Sequence, residues 1–389
     1  MRAAAMAFLL VGGLCLAGCG LQQLALGAQQ GYLLTTQDVL TLPGKQVPLE
    51  AQLRHGDFLQ DKPGYVARFY QAGQLLAAAE TDDDGVATVW FDAKIPGDTL
   101  LSVDFSPNGF SSQRPGPADL LIACRPAQTP IVIVDLDGTL VASGPMEVLL
   151  GDPQPMEHAR QVMQRLAGQY TILYLTSRPE MLGPRTKSWL NQQGFPRCPV
   201  LLAEISSLLA GQEKYKTARI GRIRQDFSQL RYGIGNDIAD ATAYQASGLT
   251  PILLLDAKGK KPDQLWELVR RLQQLDESAQ VVKDWRQVEQ VIFEKASFPR
   301  SAAQRELMEL AGRLEMQQAE APSSQAASGP ASASRPAESC KVEGGMATLS
   351  FAWPCSGPAV ARTMGHSHAN NSVAMPPAPI STAPNRSDR

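Results

Sequence analysis

Two carboxylates separated by one residue, Asp135 and Asp137, follow the apolar run Ile131-Val132-Ile133-Val134 and precede Gly138 and Thr139. A carboxylate can act as a nucleophile and split one difficult displacement into two easier ones. A second carboxylate beside it can protonate a leaving oxygen and later take a proton from attacking water. Gly138 permits the sharp turn that ends the strand and exposes both acids. Two more apolar runs end in polar residues. Ile172 to Leu175 delivers Thr176 and Ser177, and Tyr232 to Gly235 delivers Asn236, Asp237 and Asp240. Lys216 lies on the helical stretch between them.

These residues meet only if the runs carrying them are neighbouring strands. From Pro130 onward, apolar strand-like runs at 131–134, 171–175, 200–202, 231–234 and 252–255 alternate with helical stretches at 156–166 and 215–227. Apolar runs alternating with helices predict a parallel sheet covered on both faces, a doubly wound α/β fold. In such a sheet ligands bind at the carboxyl ends of the strands, where the polar residues stand. Residues 262–276 and 284–295 read as further amphipathic helices, and 301–319 as a charged helix. Ahead of them, from Tyr32 to about Arg125, short strand-like runs separated by turn signals predict an all-β sandwich of Ig-like size: 47–53, 65–70, 75–79, 86–91, 100–105 and 120–124. The acidic stretch Thr81 to Ala87 could supply hard oxygen ligands to calcium, but an Asp-Gly turn is the favoured reading.

The order DxDGT, a strand ending in Thr176, Lys216 and a spaced acidic motif resembles the haloacid dehalogenase superfamily over about residues 130–256. Gly235-Asn236 before Asp240, together with Tyr174-Leu175-Thr176-Ser177-Arg178, is more similar to its lipin-type phosphatidate phosphatases. The segment Glu213 to Ala218 resembles the lipin helix and selects Lys216 over Lys214. The resemblance implies an aspartyl-phosphate on Asp135, acid–base work by Asp137, a phosphoryl contact from Thr176 and charge balance from Lys216. It also implies Mg²⁺ held by the Asp135 carboxylate, the Asp137 carbonyl, Asn236 and Asp240, with Gly138, Thr139, Ser177 and Arg178 facing the substrate. The intervals between motifs leave no room for a cap domain. An open site suits large phosphorylated substrates, phospholipids such as phosphatidate among them. A phosphatase of soluble phosphomonoesters is the alternative within the same chemistry.

The ends of the chain bear on location. Arg2, an apolar run and Leu16-Ala17-Gly18-Cys19 resemble the signal and lipobox of bacterial lipoproteins, which implies a lipid anchor on Cys19. Gly20 after it favours the outer over the inner membrane, with the body in the periplasm. The expected division is a signal at 1–19, a tether at 20–30, the β-sandwich at 31–126, the phosphatase-like domain at 127–300, a helix at 301–320 and a disordered Ala/Ser/Pro-rich tail at 321–389. A net charge of −2 with no basic stripe argues against nucleic acid as a partner. Cys124, Cys198, Cys340 and Cys355 would meet an oxidising compartment, and their pairing is not readable. His366 and His368 lack a third ligand nearby. The other class of reading is a binding or adhesion lipoprotein that meets a protein partner through its Ig-like domain.

Overall fold

Strong alternation of buried and exposed residues marks the first half of the computed structural model, which describes residues 31–320 apart from 57, 107–113, 143–152, 205–206 and 208–209. The stretches read as signal, lipobox, tether and tail, together with Cys340, Cys355 and the two tail histidines, lie outside the described residues. Strands β1 (Tyr32–Thr36), β3 (Lys45–His55), β4 (Gln60–Asp61) and β7 (Val86–Ala93) form one sheet. Strands β2 (Val39–Thr41), β9 (Ala118–Cys124), β8 (Gly97–Phe105), β5 (Val66–Gln71) and β6 (Gln74–Glu80) form a second sheet in that order. Leu49, Ala51 and Leu53 of β3 are buried at every second position, as a strand with one covered face requires. They share a core with Phe69, Leu101, Val103 and Ile122 of the other sheet, so the two sheets pack face to face.

The chain changes sheets between β1 and β2, and Asp38 sits at the crossing. At the acidic turn, Asp82 Oδ1 accepts the backbone N–H groups of Asp84 and Val86, at 3.1 and 2.9 Å. Gly85 there has φ +71°, and a Cβ would meet the Leu53 carbonyl at 2.7 Å. Asp82 and Gly85 therefore serve the hairpin, in line with the turn reading.

The second half is a six-stranded sheet, all of it parallel: β12 (Val200–Ala203), β11 (Thr171–Pro179), β10 (Ile131–Val134), β13 (Leu230–Gly235), β14 (Thr250–Leu254) and β15 (Gln280–Val282), in that spatial order. All four residues of β10 are buried because helices cover both faces. Val132 and Val134 pack on one side with α1 (Ala159–Ala167), α2 (Gly183–Gln192) and α6 (Trp285–Glu289). Ile131 and Ile133 pack on the other with α3 (Gln212–Asp226) and with Tyr244 of α4 (Ile238–Ala246). In α5 (Pro262–Leu272), Leu265, Val269 and Leu272 recur at helical spacing. The closing helix α7 (Arg300–Glu320) lays Leu307 and Ala311 against that stripe, which settles its packing. Among the described residues no helix is long and apolar enough to cross a membrane.

Chain order within the sheet reverses direction between β10 and β13, which are adjacent although β11 and β12 come between them in sequence. Such a switch point is where the loops after two neighbouring strands part and leave a crevice. The loops after β10 and β13 carry Asp135 to Thr139 and Asn236 to Asp240.

The sandwich and the α/β fold cluster as one compact unit. Asp38, buried to 4 % exposure, is central to their junction. Its Oδ1 accepts from Leu121 N–H at 2.9 Å and Lys187 Nζ at 2.6 Å, and its Oδ2 from Val200 N–H at 3.0 Å. Arg54 pairs with Glu180 at 3.0 Å, and Lys45 with Asp226 at 2.5 Å. A cleft of about 380 Å³ along this junction is lined by Tyr32, Asp38, Tyr174 and Lys187, and by none of Asp135, Asp137, Lys216 or Asp240.

Candidate active site

Asp135 ends β10 with its carboxyl buried, and Lys216 Nζ donates to its Oδ1 at 2.7 Å. The same ammonium donates to Asp240 Oδ1, also at 2.7 Å, so one cation bridges two carboxylates that are far apart in sequence. Lys216 reaches them from α3, where it and Asp240 are wholly buried. Gln212, one turn earlier on that helix, donates to Asp240 Oδ1 at 3.0 Å. Burial pushes the Asp135 carboxyl up to about 7; the Lys216 ammonium opposes the rise, and Asp240 and Asp137 add to it. For Lys216, burial disfavours the charged form, but Asp135 and Asp240 outweigh it and hold the ammonium well above the usual lysine range.

The turn after β10 is tightly built. Gly138 has φ +72°, and a Cβ on it would lie 2.0 Å from Asn236 Nδ2. Glycine is required there by conformation and by space alike. Asn236 is thereby packed against the turn, with its Oδ1 3.5 Å from Thr139 Oγ1. Thr139 is fully buried, and its carbonyl accepts from Trp285 Nε1 at 2.8 Å. Asp237 caps α4 by accepting from Ala239 N–H at 2.9 Å, and it also accepts from Arg271 at 3.0 Å. Gly235 brings its backbone against Asp240, where a Cβ would meet Oδ2 at 2.7 Å.

From β11, Thr176 Oγ1 accepts the Arg178 backbone N–H at 3.2 Å. Ser177 Oγ is buried without a hydrogen-bond partner. Arg178, expected to face substrate, grips Asp137 with two hydrogen bonds: Nε to Oδ2 at 2.9 Å and Nη2 to Oδ1 at 2.8 Å. Its Nη1 donates to Thr186 Oγ1 on α2 at 3.1 Å. The structure thus joins Asp135, Lys216 and Asp240 directly, places Asn236 against Gly138, and ties Asp137 to Arg178. Lys216, and not Lys214, is the lysine that reaches the carboxylates. Gln212, Thr186 and Trp285 went unread in the sequence. Of these, Gln212 carried a signal, since it stands four residues before Lys216 and so shares its helix face.

The oxygens gathered here suit a hard divalent cation. Two buried carboxylates share a single ammonium, and Asp240 Oδ2 is buried with no partner among the described residues. Among the described residues no three His, Cys, Asp or Glu side chains form a ready-made cage. The expected donors differ from such a cage, because two of the four are the Asn236 amide and the Asp137 carbonyl. Oxygen-only sets of this kind, completed by water, are the habit of Mg²⁺.

Residues 132–253 match the family described as PITM 1-3, LNS2 domain. The chain is 28% identical over 169 residues to Protein retinal degeneration B of Drosophila melanogaster, a stretch covering 43% of this chain and 12% of the relative. It is 26% identical over 136 residues to Membrane-associated phosphatidylinositol transfer protein 2 of Homo sapiens, covering 35% and 10%. The chain therefore spans about a tenth of the length of these relatives. Among solved structures, the Pnkp1/Rnl/Hen1 RNA repair complex overlaps 33% of this chain and 44% of its own at 15% identity, with a TM-score of 0.29. The D00-D0 domain of Intimin overlaps 25% and 48% at 15% identity, with a TM-score of 0.20. Overlaps this slight carry no argument. Its sheet makes the second half of the chain a parallel α/β fold, and residues 132–253 within it are similar to LNS2 domains.

Proposed function

We propose that this protein is a phosphohydrolase that forms an aspartyl-phosphate on Asp135 and acts on a large or lipid phosphomonoester such as phosphatidate. The observation that carries this reading is the Lys216 ammonium held at 2.7 Å from both Asp135 and Asp240. It neutralises part of the charge that a phosphate must approach and fixes the nucleophile's orientation. Asp135 attacks phosphorus while Asp137 protonates the departing oxygen; Asp137 then takes a proton from the water that opens the acyl phosphate. Thr176 and Ser177 supply hydroxyls at the end of β11, and the unpartnered Ser177 Oγ is free to donate to a phosphoryl oxygen. Asp135, Asp240, Asn236 and the Asp137 carbonyl would hold Mg²⁺, whose chemistry is to offset phosphate charge. In this reading the β-sandwich is Ig-like, and a lipid anchor on Cys19 keeps the site at the periplasmic face of a membrane, outer rather than inner.

Two observations favour a second reading, in which the domain binds a phosphorylated lipid without hydrolysing it. Arg178 occupies both oxygens of Asp137, and the relatives include a protein named for phosphatidylinositol transfer. A single experiment separates the two. The full chain is supplied with Mg²⁺ and offered phosphatidate vesicles, a nucleotide and a sugar phosphate, with Asp135→Asn as control. Phosphate release from phosphatidate that the variant abolishes is expected. Vesicle binding without release would favour the second reading, and release undiminished in Asp135→Asn would sink the mechanism.

A further inference from the structure

We propose that the β-sandwich positions the acid–base carboxylate of the α/β domain, through a relay of side chains running from Asp38 to Asp137. Lys187 on α2 enters the sandwich and donates to Asp38 Oδ1 at 2.6 Å, Thr36 Oγ1 at 3.1 Å and the Asp119 carbonyl at 3.1 Å. Its sequence neighbour Thr186, 1 % exposed, receives Arg178 Nη1 on the opposite side of the junction. Arg178 turns its Nε and Nη2 to the two oxygens of Asp137. A second tie holds the other flank: Glu180, two residues past Arg178, accepts from Arg54 at 3.0 Å and Gln37 at 3.4 Å, both in the sandwich. The stretch 178–187 is thus fastened to the sandwich at Glu180 and Lys187 and to the acid–base residue at its first position, Arg178.

Asp38 makes the fastening firm. It is a buried carboxylate satisfied by one backbone N–H from each half of the molecule as well as by Lys187. A guanidinium that contacts both oxygens of a carboxylate fixes its plane as well as its distance. The chemical role of Asp137 in this relay rests on the phosphohydrolase reading above. As the Asp135 oxygen bonds to phosphorus and the ester oxygen departs, Asp137 hands its proton to that oxygen, having given up one guanidinium contact to carry it. Arg178, Thr186, Lys187 and Asp38 are positioning residues, each acting through the next.

The test uses the full chain with Asp38→Asn and Thr186→Val, with Lys187→Arg as the conservative replacement and Lys45→Ala as a control at a junction contact outside the relay. An alkyl phosphomonoester needs its leaving oxygen protonated, whereas p-nitrophenyl phosphate releases a stable phenolate. In Asp38→Asn and Thr186→Val, kcat/KM for the alkyl ester is expected to fall about tenfold, the scale of a misplaced catalytic group, with less than about a twofold change for the nitrophenyl ester. Lys187→Arg should retain most of the activity, and Lys45→Ala all of it. Equal losses on the two esters, or no loss, would overturn the proposal. Hydrogen exchange over residues 176–187 supplies a readout independent of turnover. Faster exchange in Asp38→Asn but not in Lys45→Ala supports the relay even if no ester is hydrolysed, in which case the phosphohydrolase reading alone fails. Unchanged protection overturns the relay in an active and an inactive protein alike.

Discussion

Lys216 is the residue on which the charge balance of the site turns. Replacing it by Met leaves Asp135 and Asp240 facing each other in a buried space without their cation, and breaking a buried pair in this way costs about 3 kcal/mol or more. Urea denaturation of metal-free Lys216→Met at neutral pH should show that loss, together with near-complete loss of any phosphate release. Cys198 offers a separate test at this scale. Burial pushes its thiol up from 9.0 to about 12. Its neutral form therefore contributes full stability below about pH 9, and that contribution fades as pH rises from 9 toward 12. Denaturation midpoints for the native chain and Cys198→Ala should run parallel below pH 9 and converge above it; a constant separation would contradict the shift. Asp135, Asp137, Thr176, Asn236 and Asp240 could be read as candidates in sequence because each follows an apolar run, and Lys216 because its segment resembles the lipin helix; of these the structure joins Asp135, Lys216 and Asp240 directly. The grip of Arg178 on Asp137 was not legible, since a side chain's partner across a crevice depends on how two loops fold back, and no periodicity records that.

The strands of the α/β domain were legible because burial on both faces makes them continuous apolar runs. Four strands escaped, β1, β2, β4 and β15, the last three being only two or three residues long and too short to show a period. Pairing with long neighbours stabilises them, which is tertiary and not local information. Element packing also sets tolerances that a substitution can measure. A Cβ on Gly233 of β13 would lie 2.2 Å from the Tyr244 ring of α4. Gly233→Ala must push that helix off the sheet, and overpacking of this kind costs about 1–3 kcal/mol. Because α4 carries Asp240, a calorimetric scan should show the lowered stability alongside weakened Mg²⁺ binding. Gly221→Ala inside α3, where a Cβ meets nothing within 4 Å, should leave Mg²⁺ binding unchanged and raise stability by up to about 1 kcal/mol.

The described residues join a two-sheet sandwich to a doubly wound sheet, and the Mg²⁺ proposed for the site should be felt by all of them. A cation that binds the folded state alone stabilises it by about 2.7 kcal/mol when present at a hundred times its dissociation constant. Removing Mg²⁺ with a chelator should therefore lower the thermal midpoint of the native chain. The same treatment should not affect Asp240→Asn, which lacks the unpartnered Oδ2.

The placement of β10 has a consequence for how the protein is made. Its strand is flanked by β11 and β13, and Ile131 is paired with Thr171 on one side and with Leu230 on the other. During synthesis the nascent chain can complete the first pairing long before β13 leaves the ribosome, so one edge of the nucleophile's strand stays unprotected while the intervening helices emerge. Non-local pairings of this kind form late and leave apolar edges open to wrong partners. Halting translation shortly before residue 230 should thus yield a chain whose sandwich resists protease while Asp135 lies in a segment that is still cut.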